Sequence, residues 1–166
     1  MRKALLLFIS TLFMFQTAIA DEVQDEPMAI SVKRLSLDTT IKIAKGAIDA
    51  CRQKGIPISV TVVDRNGLVQ IVMRDTVAAT VSLEISRQKA YTAANFGVAT
   101  SQLTGTAATP IGRVDGLVMS AGGIPIQAAG HILGAIGVSG APSGVTDEEC
   151  AQVGIETVMD DLEMDL

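Results

Sequence analysis

Between residues 36 and 54 the apolar side chains recur at helical spacing. In "LDTTIKIAKGAIDACRQK", Leu37, Ile41, Ala44, Ile48 and Cys51 fall on one face, and Ser36 stands where an N-cap belongs. Gly55 and then Pro57 close the segment in the usual order for a helix end. The period then shortens. "ISVTVVDRNGLVQIVMRD" places two β-branched runs around Asn66-Gly67, a pair that tolerates positive φ and predicts a two-residue hairpin turn. Residues 81–95 contain neither glycine nor proline and predict a second helix stopped at Gly97, with a shorter helix over 100–107 and a loop at "PIGRVDG". Three further strands are expected at 117–119, 124–128 and 132–139. Thr146 and Glu149 then form a capping-box pattern for a last helix, 147 to 162, with Asp147, Glu148 and Glu149 in its first turn.

Helix, hairpin, helices, three strands and helix do not alternate as βαβ units. The pattern therefore predicts an α+β fold, an antiparallel sheet of about five strands flanked by helices. Ahead of it, residues 1–20 read as a signal peptide: a basic Met1-Arg2-Lys3, an apolar run too short to span a bilayer, and the small-x-small pattern Ala18-Ile19-Ala20. Cleavage there removes 20 of 166 residues and leaves 146, and the loss of Arg2 and Lys3 moves the formal charge from −5 to −7. The expected organisation is a signal peptide at 1–20, a mobile acidic segment at 21–34 and a single domain at 35–166, exported to the periplasm or secreted. An acidic chain with no basic stretch is a poor partner for nucleic acid, and no membrane association is expected once the signal is removed. With no Trp and one Tyr, the core has to be built from small aliphatic residues.

Candidate chemistry is sparse. Cys51 and Cys150 both fall in predicted helices, and export leaves a disulfide and two buried thiols equally open. The stretch "GGIPIQAAGHILGAIGVSGAPSG" lacks both the dinucleotide fingerprint and the Gly-Lys-Ser/Thr of a phosphate loop. Its glycines instead suit close approach of a helix, a subunit or a ligand to the sheet. His131, the only histidine, follows Gly130 at an apparent turn with no second ligand at metal-binding spacing, so an exposed turn residue is the better reading than a metal or haem ligand. In "LEISRQKAYTAANFG", Glu84, Gln88, Tyr91 or Thr92, and Asn95 share a helix face, which reads first as a solvated face with Tyr91 and Phe96 turned to the core. No G-x-S-x-G occurs, and Asp64, Asp75 and Asp115 sit at turns or strand ends where structural capping is the simpler role.

Taken in order, "SVTVVDRNGLVQIVMRD", "RQKAYTAANFGVATSQL", "AGGIPI", "GAIGVSGAPSG" and "DEECAQVG" resemble the GlcG/HbpS-like family of small haem-binding or haem-degrading domains, over about residues 35–162. The resemblance implies a profilin- or PAS-like α+β domain, a homo-oligomer, and haem or a related tetrapyrrole as ligand, used in storage, delivery or sensing. Haem degradation is implied only by the family, and no catalytic constellation is visible. By the same resemblance Thr92 becomes the candidate haem-iron oxygen ligand, with His131 behind it. Lys89 would pair with a propionate, Tyr91 and Phe96 would pack near the porphyrin, and Arg74, Gly122 and Gly123 match recurrent positions. Two other roles remain open: a small-molecule or corrinoid-linked accessory domain, and an oligomeric interaction module without cofactor.

Overall fold

The first hairpin is organised by Asp64. In the computed structural model, which describes residues 27–166, strand β1 (Ser59–Asp64) turns into β2 (Val69–Arg74) through Arg65-Asn66-Gly67. The Asp64 carboxylate accepts from the amides of Asn66 and Leu68, at 2.8 and 3.0 Å. The Asp64 and Leu68 backbones close the loop, and Gly67 takes a φ of +81°. The connection is thus a three-residue loop with a glycine bulge, not the two-residue turn expected from Asn66-Gly67, because the aspartate side chain supplies acceptors for the extra residue.

Helix α1 (Leu37–Gln53) precedes the hairpin, and Ser36 caps it by accepting from the Thr39 amide at 3.2 Å. Its buried stripe runs Thr40, Ile43, Ala44, Ala47, Ile48 and Cys51. Leu37 and Ile41 were expected on that face, but they are 60% and 40% exposed, since the stripe is rotated towards residue 40. Helix α2 (Val81–Phe96) follows β2 and ends on Gly97 with φ +66°. Three short 3-10 turns, Thr100–Leu103, Thr106–Ala108 and Pro110–Arg113, replace the expected helix at 100–107. Then come β3 (Gly123–Ala128) and β4 (His131–Ser139), joined at Ala129-Gly130, both with positive φ.

The sheet is antiparallel throughout, in the order β2-β1-β4-β3. It has four strands where about five were expected. Residues 117–119 form none, because the Val118 amide is taken by the Thr92 hydroxyl at 3.0 Å instead of by a neighbouring strand. The last expected helix is two: α3 (Gly144–Glu156) and α4 (Met159–Asp165). Thr157 ends the first of them, its hydroxyl donating to the Gly154 carbonyl at 2.7 Å. The cap of α3 is Ser143, which accepts from the Thr146 amide at 3.2 Å; Glu149 does not complete the expected box and pairs with Lys54 instead.

Alternation along β1 assigns the layers. Val60 and Val62 join Ile136, Val138 and the α1 and α3 residues in the main core, while Val63 meets Ala90, Ala93, Ala94 and Ala135 on the α2 side. Helices therefore cover both faces, which is why all six β1 residues are buried. The α2 face is packed through small groups: Ser59 with Ser82 and Thr61 with Ser86, at 2.8 and 2.9 Å between hydroxyls. A Cβ at Gly137 would run into the backbone of Ser86 and Ala90, so this glycine sets how near α2 lies to the sheet. Of the two states left open for the cysteines, the structure takes the disulfide: Cys51 of α1 is bonded to Cys150 of α3, both buried. Arg52 adds a two-point bond to Asp75 at 2.7 and 2.9 Å, tying the end of α1 to the residue after β2.

Candidate functional site

Helix α2 carries half of the candidate site residues, Lys89, Tyr91, Thr92 and Phe96, and places them differently. Lys89 points inward. Its side chain is 4% exposed, and its ammonium lies 2.8 Å from Asp147 of α3 and donates to the Val138 carbonyl at 3.0 Å. The second Asp147 oxygen accepts from the Ala141 amide at 2.9 Å. Burial is the main influence on Asp147 and pushes its carboxyl above the ordinary value, with the Lys89 contact opposing it. Gly122 permits this pair, since a Cβ there would meet the Lys89 ammonium at 2.6 Å and the Val138 carbonyl at 2.7 Å, and its φ is +122°. Gly123 is pressed against the Lys89 backbone in the same way. Both glycines thus hold the strand entrance against α2.

Thr92 is fully buried. Its hydroxyl donates to the Gln88 carbonyl at 2.7 Å and accepts from Val118 at 3.0 Å, so both directions are in use. Tyr91, one position earlier, is half-buried with its ring edge against Gly67 at the tip of the first hairpin. Its carbonyl accepts from the Asn95 side chain at 2.8 Å. Phe96 is half-buried at the helix end. Arg74 is exposed and donates to the Ala78 carbonyl at 2.6 Å, ordering the link from β2 to α2. His131 is exposed at the start of β4, opposite Ala128. The fold therefore brings Tyr91, the hairpin tip and the outer side of α2 together, and leaves His131 and Arg74 apart from Lys89 and Thr92.

Three groups escaped the sequence reading. Asp147 was seen only as a helix-start acid, and nothing local ties it to a lysine 58 positions away. Arg87 lies one turn before Tyr91 on α2 and is held by Glu84, which raises its pKa chiefly through their hydrogen bond; the Tyr91 side chain adds a smaller push in the same direction. Lastly, an open groove of about 390 Å³ lies along β3, lined by Val98, Ala99, Ile124, Pro125, Ile155 and Met159 among others. It adjoins a second hollow that shares Ala99, Ile124 and Gln152 and carries Glu148 and Glu149. Of these acids, Glu148 accepts from the Gly122 amide and the Ser101 hydroxyl, at 3.0 and 2.7 Å. Among the described residues no cluster of three or more His, Cys, Asp and Glu could hold a metal ion, and no helix is long and apolar enough to cross a membrane.

A four-stranded antiparallel sheet with α2 on one face and α1 and α3 on the other defines the class, a small α+β domain. Residues 35–156 match the model of the family described as "Haem degrading protein HbpS-like", and the chain belongs to that family. A doubly substituted form of HbpS from Streptomyces reticuli is 34% identical, with a TM-score of 0.75 over 78% of this chain and 90% of that one. PduOC, solved as a complex with haem, is 27% identical, with a TM-score of 0.69 over 74% of this chain and 94% of that one. The corrinoid adenosyltransferase PduO of Citrobacter freundii is 29% identical over 132 residues; the match covers 75% of this chain but 39% of that protein.

Proposed function

We propose that this protein is an exported haem-binding domain, serving storage, delivery or sensing of haem rather than a built-in chemical step. The observation that carries the reading is the likeness, across nearly the whole of the solved PduOC chain, to a domain crystallised with haem. The match to the HbpS-like family supports it. A corrinoid-linked role has narrower support, since the shared region is a minor part of the adenosyltransferase.

The donor groups fit haem on the outer side of α2. Haem supplies iron and two anionic propionates, so its host needs an oxygen, nitrogen or sulfur donor, positive charge, and apolar contact. Tyr91 and Arg87 offer the first two, while Arg65 and Leu68 are exposed on the hairpin tip that meets Tyr91. The β3 groove suits an anionic porphyrin less well, because its neighbouring hollow is edged by Glu148 and Glu149. Thr92, which we retain as a ligand to be tested, would reach iron only if residues 117–119 lifted away from it. A propionate would reach Lys89 only by displacing Asp147. Phe96 belongs to the same helix end and would contribute packing.

A buried disulfide independently supports export, since such bonds persist in oxidising compartments. The expected leader, residues 1–20, lies outside the described residues. The test is a titration of purified protein lacking that leader with hemin: a saturable shift of the Soret band at micromolar protein is expected, and its absence removes the haem reading. Bleaching of the bound haem by reductant and oxygen, against a hemin-only control, would instead show turnover.

A further inference from the structure

We propose that β2 is the strand through which copies of this chain join, pairing antiparallel with β2 of a second copy about Val72. The proposal does not depend on the haem reading. The sheet order β2-β1-β4-β3 leaves two edges, and they are not alike. At the start of β3 the Val138 amide donates to the Gly122 carbonyl at 2.8 Å, so ladder alternation turns the backbones of Gly123 and Pro125 outward. Gly123 is already used, its amide donating to the Thr100 hydroxyl at 2.9 Å. Pro125 has no amide hydrogen to offer. That edge is closed to a further strand.

The β2 edge has neither device. The Asp75 amide donates to the Ile58 carbonyl at 2.9 Å, in register with the pairs Val60–Met73 and Thr61–Val72. Alternation then aims the backbone amides and carbonyls of Val72 and Arg74 away from β1. Among the described residues, no backbone group outside the sheet bonds to either of them. The strand "VQIVMR" holds no proline, lysine or acid, the residues that commonly guard an exposed edge. Val69 and Val72 on it are 47% and 44% exposed.

A second copy is the partner that this strand selects. Pairing about Val72 sets Val72 against itself on a two-fold axis, apolar against apolar. It places Gln70 opposite Arg74 of the partner subunit and keeps the two arginines at opposite ends. Gln70 donates through Nε2 to the Leu35 carbonyl at 3.0 Å, while its Oε1 is the one buried side-chain polar atom without a partner among the described residues. A guanidinium opposite it is a donor of the right kind. The contact is isologous, and because the β3 edge is closed, the joined sheet ends with the pair instead of growing into a fibre.

The experiment uses haem-free protein without residues 1–20, after melting curves have shown each variant folded. Size-exclusion with light scattering at micromolar protein compares the wild type with Val72→Pro and Val72→Lys. The proline removes an outward amide hydrogen and no bond to β1, and the lysine sets like charges together on the axis. Each should halve the mass of the wild type. Val72→Cys would bring two Cα atoms to about 5.5 Å across the axis, within disulfide reach. Mild oxidation should give it a band of doubled mass on a non-reducing gel, while Val145→Cys, exposed on α3, should stay single. A monomeric wild type overturns the proposal. So does an oligomer whose mass neither Val72→Pro nor Val72→Lys alters, since its interface then lies elsewhere. Failure of Val72→Cys to cross-link, or equal cross-linking of Val145→Cys, overturns the pairing about Val72 as well.

Discussion

Asp75 and Asp147 carry the same carboxyl group into opposite surroundings. Hydrogen bonds from Arg52, then from the Thr76 amide, hold Asp75 at about 2 instead of 3.8. A carboxylate depressed in the fold stabilises it fully above its ordinary value, and that contribution is lost as pH falls from 3.8 towards 2. Asp75→Asn should therefore lower the melting temperature at neutral pH and flatten its fall over that acid window, as a series of melts in stepped buffers will show. Burial drives Asp147 upwards, so its own contribution is complete at low pH and declines as pH rises through the raised value. What makes the charged form tolerable is Lys89 at 2.8 Å. Removing one partner, as in Lys89→Met, should cost about 3–5 kcal/mol in urea unfolding, whereas Lys89→Met with Asp147→Leu should come close to neutral. Gly122→Ala, at φ +122° and against the same ammonium, should cost roughly 2–3 kcal/mol. The sequence already marked Lys89, Tyr91 and Thr92 through their place on one polar helix. It could not say that Thr92 is sealed while Tyr91, one position earlier, stays half-buried, because the sealing depends on Val118 arriving from a distant loop.

At the level of helices and strands, most of the architecture was legible where local signals were strong. The Ser36 cap, the helix ending at Gly97 and the two strands around Asn66-Gly67 all follow from short patterns. Three of the misreadings share a cause: a side chain redirected the backbone hydrogen bonds. Asp64 lengthened the hairpin loop, Thr92 took the amide that residues 117–119 needed to pair, and Thr157 broke the last helix. The disulfide, too, was undecidable from spacing, since its cysteines are 99 positions apart on two helices. Closing so long a loop restricts the unfolded chain, and reduction should remove about 4.7 kcal/mol of stability in the loop-entropy view. Cys51→Ala with Cys150→Ala, compared with the oxidised wild type in urea, measures that figure without reductant effects on other groups.

For the molecule as a whole, covered faces and exposed edges divide the labour. The two layers of helices bury β1 and most of β4, and what stays open includes the edge strand β2, the hairpin tip and the groove along β3. Assembly into a homo-oligomer is proposed for this chain, and size-exclusion with light scattering should give a mass above that of one chain; a monomer at working concentration would contradict it. Hemin that binds the folded state and not the unfolded one should also raise the melting temperature, with about 2.7 kcal/mol gained at a free concentration one hundred times Kd.

The bond between α1 and α3 also makes the chain topologically a ring with two tails. Cys51 and Cys150 enclose the whole sheet, α2 and the mostly exposed stretch 104–117, in which Arg113 is accessible. A protease that cuts after Arg113 opens the ring without parting the molecule. The nicked protein should run as a single species on a non-reducing gel and fall into two fragments once thiol is added, so a backbone break at that loop would pass unnoticed in any assay that leaves the disulfide intact.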